Sequence, residues 1–162
     1  ERRGDTGNDC DRDSVRLQEL LLLAAPSEYE RIAALQPHDR LPGLRRFEQQ
    51  PVDRILADVP CTASGVVRRH PDAKWLRRVS DIDRFVAIQT RILDAIWHTL
   101  ASGGKMLYAT CSLFAAENED QVAAFIGRHA DAQRLTIDGA PSVQLLPHAD
   151  HDGFFYALLQ KN

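Results

Sequence analysis

Two short apolar runs, each closed by a polar residue and followed by a cysteine, stand out along the chain. They are Arg54-Ile55-Leu56-Ala57-Asp58 ahead of Cys61 and Met106-Leu107-Tyr108-Ala109-Thr110 ahead of Cys111. Such runs predict buried strands, the first over about Asp53 to Asp58 and the second over Lys105 to Thr110. Between them, apolar residues recur with helical spacing at Ile82, Phe85, Val86, Ile88, Ile92, Leu93, Ile96 and Leu100. Ser80 and Asp83 open this helix in the manner of a capping box, and Gly103-Gly104 closes it. A further helix is expected over Glu117 to His129, with Val122, Phe125 and Ile126 inward. Val143 to Leu146 and Phe154 to Leu159 are expected to form a terminal hairpin around a turn at residues 148–153. Upstream the pattern weakens. Residues 1–13 are polar; Asp13 or Ser14 caps a helix over Val15 to Ala25; Ser27 caps a second over Glu28 to Leu35; residues 36–51 read as a proline-punctuated connector. The whole is an α/β pattern with a mostly helical N-terminal segment (1–51) and a clearer unit from 52 to 162. The crossover rule makes the first two strands parallel.

Composition narrows the classes of function. No apolar run approaches the roughly 20 residues of a membrane span, Leu20 to Ala25 being far too short, and no secretory pattern is visible. No membrane partner is expected. Cysteine is sparse and odd in number (Cys10, Cys61, Cys111), which argues against a disulfide scaffold and for a reducing, cytoplasmic setting. The net charge of -3 confines any nucleic-acid surface to a local patch. The first residue, Glu1, reads as a point within a longer polypeptide.

Ligands of open parallel sheets bind at the carboxyl ends of the strands, so Asp58, Cys61 and Cys111 are expected at one cleft. A cysteine at a strand end is by default a small buried hydrophobe, but two at adjacent strand ends weaken that reading. A zinc site lacks the short paired ligand spacings, and no metal ligand is assigned. A cysteine–histidine hydrolase has His70, His98 and His129 to draw on, with no spacing that singles one out. A redox or hydrolytic thiol enzyme therefore stays open beside thiol chemistry on another substrate. Arg68, Arg69, His70, Lys74, Arg77 and Arg78 cluster after the first motif, as a solvated face or as contacts to a phosphate backbone. Trp75 reads as a core or staple residue, with base stacking as its alternative. Phe154, Phe155 and Tyr156 read as packing of the hairpin. Glu117 and Glu119 read as acids suited to a helix start, with no catalytic role.

The segment Asp58-Val59-Pro60-Cys61-Thr62-Ala63-Ser64-Gly65-Val66-Val67-Arg68-Arg69-His70-Pro71-Asp72 closely resembles the NOP2/Sun family of RNA cytosine-C5 methyltransferases. So do Tyr108-Ala109-Thr110-Cys111-Ser112-Leu113 and the following Glu117-Asn118-Glu119. Lys74-Trp75 and the tail Asp152-Gly153-Phe154-Phe155-Tyr156-Ala157 resemble its bacterial Sun (Fmu) branch, which acts on small-subunit ribosomal RNA. The resemblance covers about residues 52 to 162. It implies the later strands of a Rossmann-like class I methyltransferase sheet, S-adenosylmethionine as cofactor and ribosomal RNA as partner. It also implies Cys111 as nucleophile on cytosine C6, Cys61 as the assistant in product release, and Asp58 at the base edge and near the cofactor. Arg68, Arg69, His70 and Lys74 would bind RNA. The chain departs from the family pattern upstream: it carries no glycine-rich turn of the Pro-Gly-Gly-Lys-Thr kind. Gly4-Asp5-Thr6-Gly7 and Asp9-Cys10-Asp11 are weak imitations. Residues 1–51 are therefore expected to be truncated or divergent, leaving the Ile55 strand as an apolar edge that needs cover. A catalytically incomplete RNA-binding fragment is the alternative reading.

Overall fold

A computed structural model of the chain describes residues 51–162 and the two-residue strand β1 (Ser14–Val15). Val15 is thus in a strand, not at the start of the expected helix. The remainder of that helix, the one expected over 28–35, and Cys10 lie outside the described residues.

The other elements are β2 (Val52–Asp58), a short helix α1 (Ala73–Leu76), the long helix α2 (Val79–Trp97), β3 (Leu100–Thr110), α3 (Glu119–Arg128), β4 (Ala132–Ile137), β5 (Val143–Leu145) and β6 (Phe154–Lys161). Turns of 3₁₀-helix cover Ser64–Val66 and Ala115–Glu117. The strands form one mixed sheet in the order β1-β4-β6-β3-β2, with β5 also on β6. As expected, β2 and β3 are parallel, with Asp58 opposite Ala109. Their carboxyl ends therefore emerge side by side. The tail strand β6 runs antiparallel to β3, β4 and β5. It is the centre of the sheet as well as half of the expected hairpin.

Alternation along β3 and β6 builds two cores. Met106, Tyr108, Phe155, Ala157 and Leu159 face the helix layer, where Leu93, Ile96 and Trp97 of α2 and Val122 and Phe125 of α3 pack on them. Leu107, Ala109, Tyr156 and Leu158 point to the opposite face with Leu135 and Ile137. The Trp97 indole meets Phe125 edge-on at 5.1 Å and donates its N–H to Asp131 at 3.1 Å. That satisfies the one polar atom of a fully buried ring. At the end of the sheet order, β2 keeps Ile55 and Leu56 half-buried.

Three local expectations are corrected. Helix α2 begins at Val79 and is capped by Asp81, whose carboxylate accepts the Arg78 N–H at 2.8 Å; Ser80 already lies inside the helix. It ends at Trp97, so Leu100 belongs to β3. Gly103-Gly104 is not a helix stop: Gly103, at φ +77°, sits where the register slips between the pairs Val52–Leu100 and Arg54–Lys105. An irregularity of that kind needs a residue free of the Cβ penalty. Strand β4 was not read from the pattern. It closes at Asp138-Gly139, both at positive φ, between Ile137 and Ala140, which exchange backbone hydrogen bonds of 2.8 and 3.0 Å. This is the Asp-Gly signature of a two-residue turn.

Candidate active site

Three loops converge where β2 and β3 end. One residue past β2, the Val59 N–H still bonds the Ala109 carbonyl at 3.2 Å, which carries the parallel pairing to the mouth of the cleft. Pro60 follows, and Ala63 takes a left-handed conformation at φ 61°, ψ 28°. Such a conformation is costly for a residue with a Cβ and is kept only where surrounding contacts fix it. They are present next to it. The Gly65 N–H bonds the Cys111 carbonyl at 2.8 Å, and the Gly65 carbonyl accepts the Gly153 N–H at 2.8 Å. A Cβ on Gly65 would fall on the Gly153 carbonyl oxygen and lie 2.8 Å from the Cys111 carbonyl oxygen. Only glycine lets the loops after β2 and β3 and the start of β6 come this close.

The result is a pair of free thiols with Cys61 Sγ 3.3 Å from Cys111 Sγ. One proton between them decides their chemistry. The hydrogen bond from Cys61 lowers the pKa of Cys111 below the ordinary thiol value, against the opposing effects of burial and of the Asp58 and Glu117 carboxyls. The same bond, with burial, raises Cys61 far above it. The two shifts run in the direction of a Cys111 thiolate that accepts from a Cys61 thiol, the polarity a nucleophilic thiol needs. Asp58 closes the group. The residue is exposed at the rim, yet partial burial of its carboxyl against the cleft wall raises its pKa. Tyr156, across the sheet from Ala109, is raised by burial and then by the Asp58 and Cys111 charges. It packs in the core on the sheet face away from the helices, near enough to both groups to feel their charge.

Beneath the thiols lies a residue that sequence reasoning dismissed. Glu117 is fully buried in the 3₁₀ turn before α3. Its Oε2 accepts the hydroxyls of Thr62 and Ser112, each at 2.6 Å. Its Oε1 accepts the Thr62 N–H at 2.9 Å and the Gln89 amide at 3.2 Å. Thr62 and Ser112 each directly follow one of the two cysteines, so this single carboxylate holds both thiol loops in register. Gln89 also donates to the Pro60 carbonyl at 2.9 Å, and the Tyr108 hydroxyl to the Glu117 carbonyl at 2.6 Å. Asn118 links Ser112 and Thr110 below. The sequence signal was available in the hydroxyl residue that follows each cysteine and in Gln89, a polar residue on the apolar stripe of α2 between Phe85 and Leu93.

The basic cluster divides. Arg69 and, at 3.5 Å, Arg68 pair with the buried Asp152, and Arg68 also donates to the Ala149 carbonyl at 2.6 Å. His70 and Lys74 are exposed. Arg77 donates from Nε to the Thr62 carbonyl at 3.0 Å and lies over the Phe85 ring; Arg78 holds the N-cap position of α2, its N–H donated to Asp81. Trp75 is not a core residue: it is 81% exposed. Among the histidines, His129 stacks on Phe125 and meets Asp94 at 3.0 Å, and His98 ends α2; neither bonds a cysteine. Among the described residues no group of three or more His, Cys, Asp or Glu side chains is placed to hold a metal ion.

Comparison with known proteins gives a consistent result. The model of a family described as 16S rRNA methyltransferase RsmB/F matches residues 28–160. Ribosomal RNA small subunit methyltransferase B of Pectobacterium atrosepticum is 57% identical over 118 residues, 71% of this chain and 28% of that protein. The protein of the same name from Serratia proteamaculans is 60% identical over 113 residues, 67% of this chain and 26% of its own length. The chain thus spans little more than a quarter of these relatives. Among solved structures, PH0851 aligns with a TM-score of 0.65 at 31% identity, covering 68% of this chain and 27% of that one. NSun6 from Pyrococcus horikoshii with SFG aligns at 0.59 and 29% identity, covering 72% and 32%. The partial Rossmann-like sheet is therefore that of Sun-type methyltransferases.

Proposed function

Since the chain belongs to the 16S rRNA methyltransferase RsmB/F family, we propose that residues 52–162 form the later part of a catalytic domain that methylates C5 of a cytosine in 16S rRNA. Residues 1–51 would be a divergent or truncated lead-in. The observation that carries the reading is the 3.3 Å thiol pair, in which the Cys111 pKa is lowered and the Cys61 pKa raised. Cytosine C5 is a poor nucleophile until a thiolate adds at C6. Cys111, ionised by the Cys61 hydrogen bond, makes that addition, and C5 gains enamine character. Asp58, whose raised pKa lets it hold a proton longer, hydrogen-bonds the base edge and stabilises the adduct. S-adenosylmethionine, when bound, supplies the methyl group. Asp58 is the described residue that fits it, a carboxylate at a strand's carboxyl end beside the nucleophile. A relative solved with SFG, an analogue of that cofactor, supports S-adenosylmethionine as the methyl donor.

Release needs the C5 proton removed and the C6–S bond broken. Cys61 is held protonated chiefly by the Cys111 sulfur. Once that sulfur is bonded to C6 it no longer carries charge, the Cys61 pKa falls, Cys61 releases its proton to solvent, and the resulting thiolate takes the C5 proton while Cys111 leaves as thiolate. The pair therefore exchanges roles within one turnover. Arg68, Arg69, His70 and Lys74 would meet the RNA backbone. The arginines keep spare donors beyond Asp152, since a guanidinium carries five N–H groups. An rRNA substrate places this work in the bacterial cytoplasm. In a polypeptide spanning the full length of the relatives, Cys111→Ala should lower methyl transfer to 16S rRNA on the order of 10³-fold or more. Transfer retained by that variant would refute the assignment.

A further inference from the structure

We propose that Trp75 is a stacking platform for an unpaired RNA base flanking the target nucleotide. The proposal rests on the RNA reading above and adds a contact to it. A tryptophan left 81% exposed, with Leu76 and Val79 exposed beside it at 69% and 86%, is an apolar surface facing water. Indole rings are ordinarily well covered, so this one calls for an occupant.

The platform is fixed relative to the thiols. The Asp72 backbone carbonyl accepts the N–H groups of Trp75 and Leu76, each at 2.9 Å. Two residues on, the Arg77 Nε bonds the carbonyl of Thr62, the neighbour of Cys61, at 3.0 Å. The Arg77 guanidinium lies 5.1 Å over Phe85, which pins it to α2. A base stacked on the indole would thus lie one short helix from the cysteine cleft.

Charge selects the occupant. Between residues 68 and 78 the sequence carries Arg68, Arg69, Lys74, Arg77 and Arg78 against one acid, Asp72; Asp152, which pairs with Arg68 and Arg69, still leaves the patch positive in a chain of net charge -3. Lys74 Nζ sits 5.9 Å from the Trp75 ring centroid. Protein interfaces deplete charge at their cores. Single-stranded nucleic-acid sites interleave cations that track phosphates with rings that stack on bases. The patch has the second character. Stacking tolerates any base, so Trp75 would add affinity and placement without fixing sequence.

The chain has two tryptophans, and Trp97 is only 1% exposed. Fluorescence quenching by a short single-stranded RNA therefore reports on Trp75. We expect quenching on titration, and a 5- to 100-fold (roughly) weaker affinity for Trp75→Ala measured by anisotropy of the labelled RNA. Trp75→Phe should retain most of the affinity. RNA that binds without quenching and with equal affinity for Trp75→Ala overturns the platform, as does an absence of binding. So does a Trp75→Ala change in self-association by sedimentation with RNA binding unaltered, which would make the patch a protein contact. The chemistry is read separately, by the covalent adduct of Cys61→Ala. An adduct formed with no role for Trp75 removes this inference alone. Quenching without an adduct removes the chemistry and leaves the platform.

Discussion

Changing Cys61 to alanine in the complete polypeptide should leave an enzyme joined covalently to its RNA, visible as a band that survives denaturing electrophoresis. Cys111→Ala and the double variant should give no such band. The reason lies in what each thiol does on either side of the adduct. In the proposed mechanism Cys111 supplies the bond to C6. There Cys61 lowers the Cys111 pKa before the bond forms and, after releasing its own proton, takes the C5 proton. Its loss slows both halves, but addition still proceeds through the fraction of Cys111 that ionises at its ordinary pKa. Elimination has no comparable substitute in a cleft where Asp58 is engaged with the base. The adduct therefore accumulates. A Cys61→Ala enzyme that turns over at a near-normal rate, with no trapped species, would show that another group removes the proton.

Glu117→Ala should be among the most destabilising substitutions in the described region. It strands two hydroxyls, one backbone N–H and one amide that now converge on the carboxylate. Hydrogen bonds to a charged acceptor are worth about 1.5–3 kcal/mol each and do not add fully. A loss on the order of 3 kcal/mol or more, a fall of roughly 10 °C or more in melting temperature, is expected by circular dichroism. Glu117→Gln keeps the shape but turns a donor toward groups that donate, so it should fall between. A purely structural role ends there. The position beneath both thiol loops predicts more. In Glu117→Gln, at a temperature where it is folded, loosening of the loops should weaken the Cys61–Cys111 hydrogen bond. That should cost Cys111 more of its reactivity advantage over Cys61 than it regains from losing the Glu117 charge, whose effect is to raise the Cys111 pKa. A Glu117→Ala variant as stable as the parent would remove this carboxylate from the account.

The sequence carried the site further than it carried the fold. Asp58, Cys61 and Cys111 were legible because a buried parallel strand writes a continuous apolar run, and its carboxyl end is where the chain turns toward a ligand. Gly103-Gly104 misled because a glycine pair after a helical pattern has the same appearance whether it stops a helix or relieves a strand irregularity; the pairing partner, Val52 to Arg54, decides. Strand β4 hid in Ala132-Gln133-Arg134-Leu135-Thr136-Ile137 because only Leu135 and Ile137 are strongly apolar and buried, although Asp138-Gly139 marked its end. Glu117 escaped for a physical reason: an acid near a helix N-terminus is well explained by the dipole. Its burial depends on four partners from three separate segments, which no local pattern reveals. Trp75 shows the converse, since composition favours an inward tryptophan and only the fold leaves it outside.

The central claim is that Cys61 donates to a Cys111 thiolate, and it is tested most directly by alkylating the chain with iodoacetamide from about pH 5 to pH 10 and mapping the modified cysteines by mass spectrometry. A lowered Cys111 pKa means that its thiolate persists as pH falls below the ordinary thiol value near 9.0 and is lost only on passing through the lowered one. Cys111 should therefore be alkylated first, with an inflection below that value, and Cys61 should resist until Cys111 has reacted. Cys61 reacting first, or Cys111 titrating at or above the ordinary value, would contradict the account.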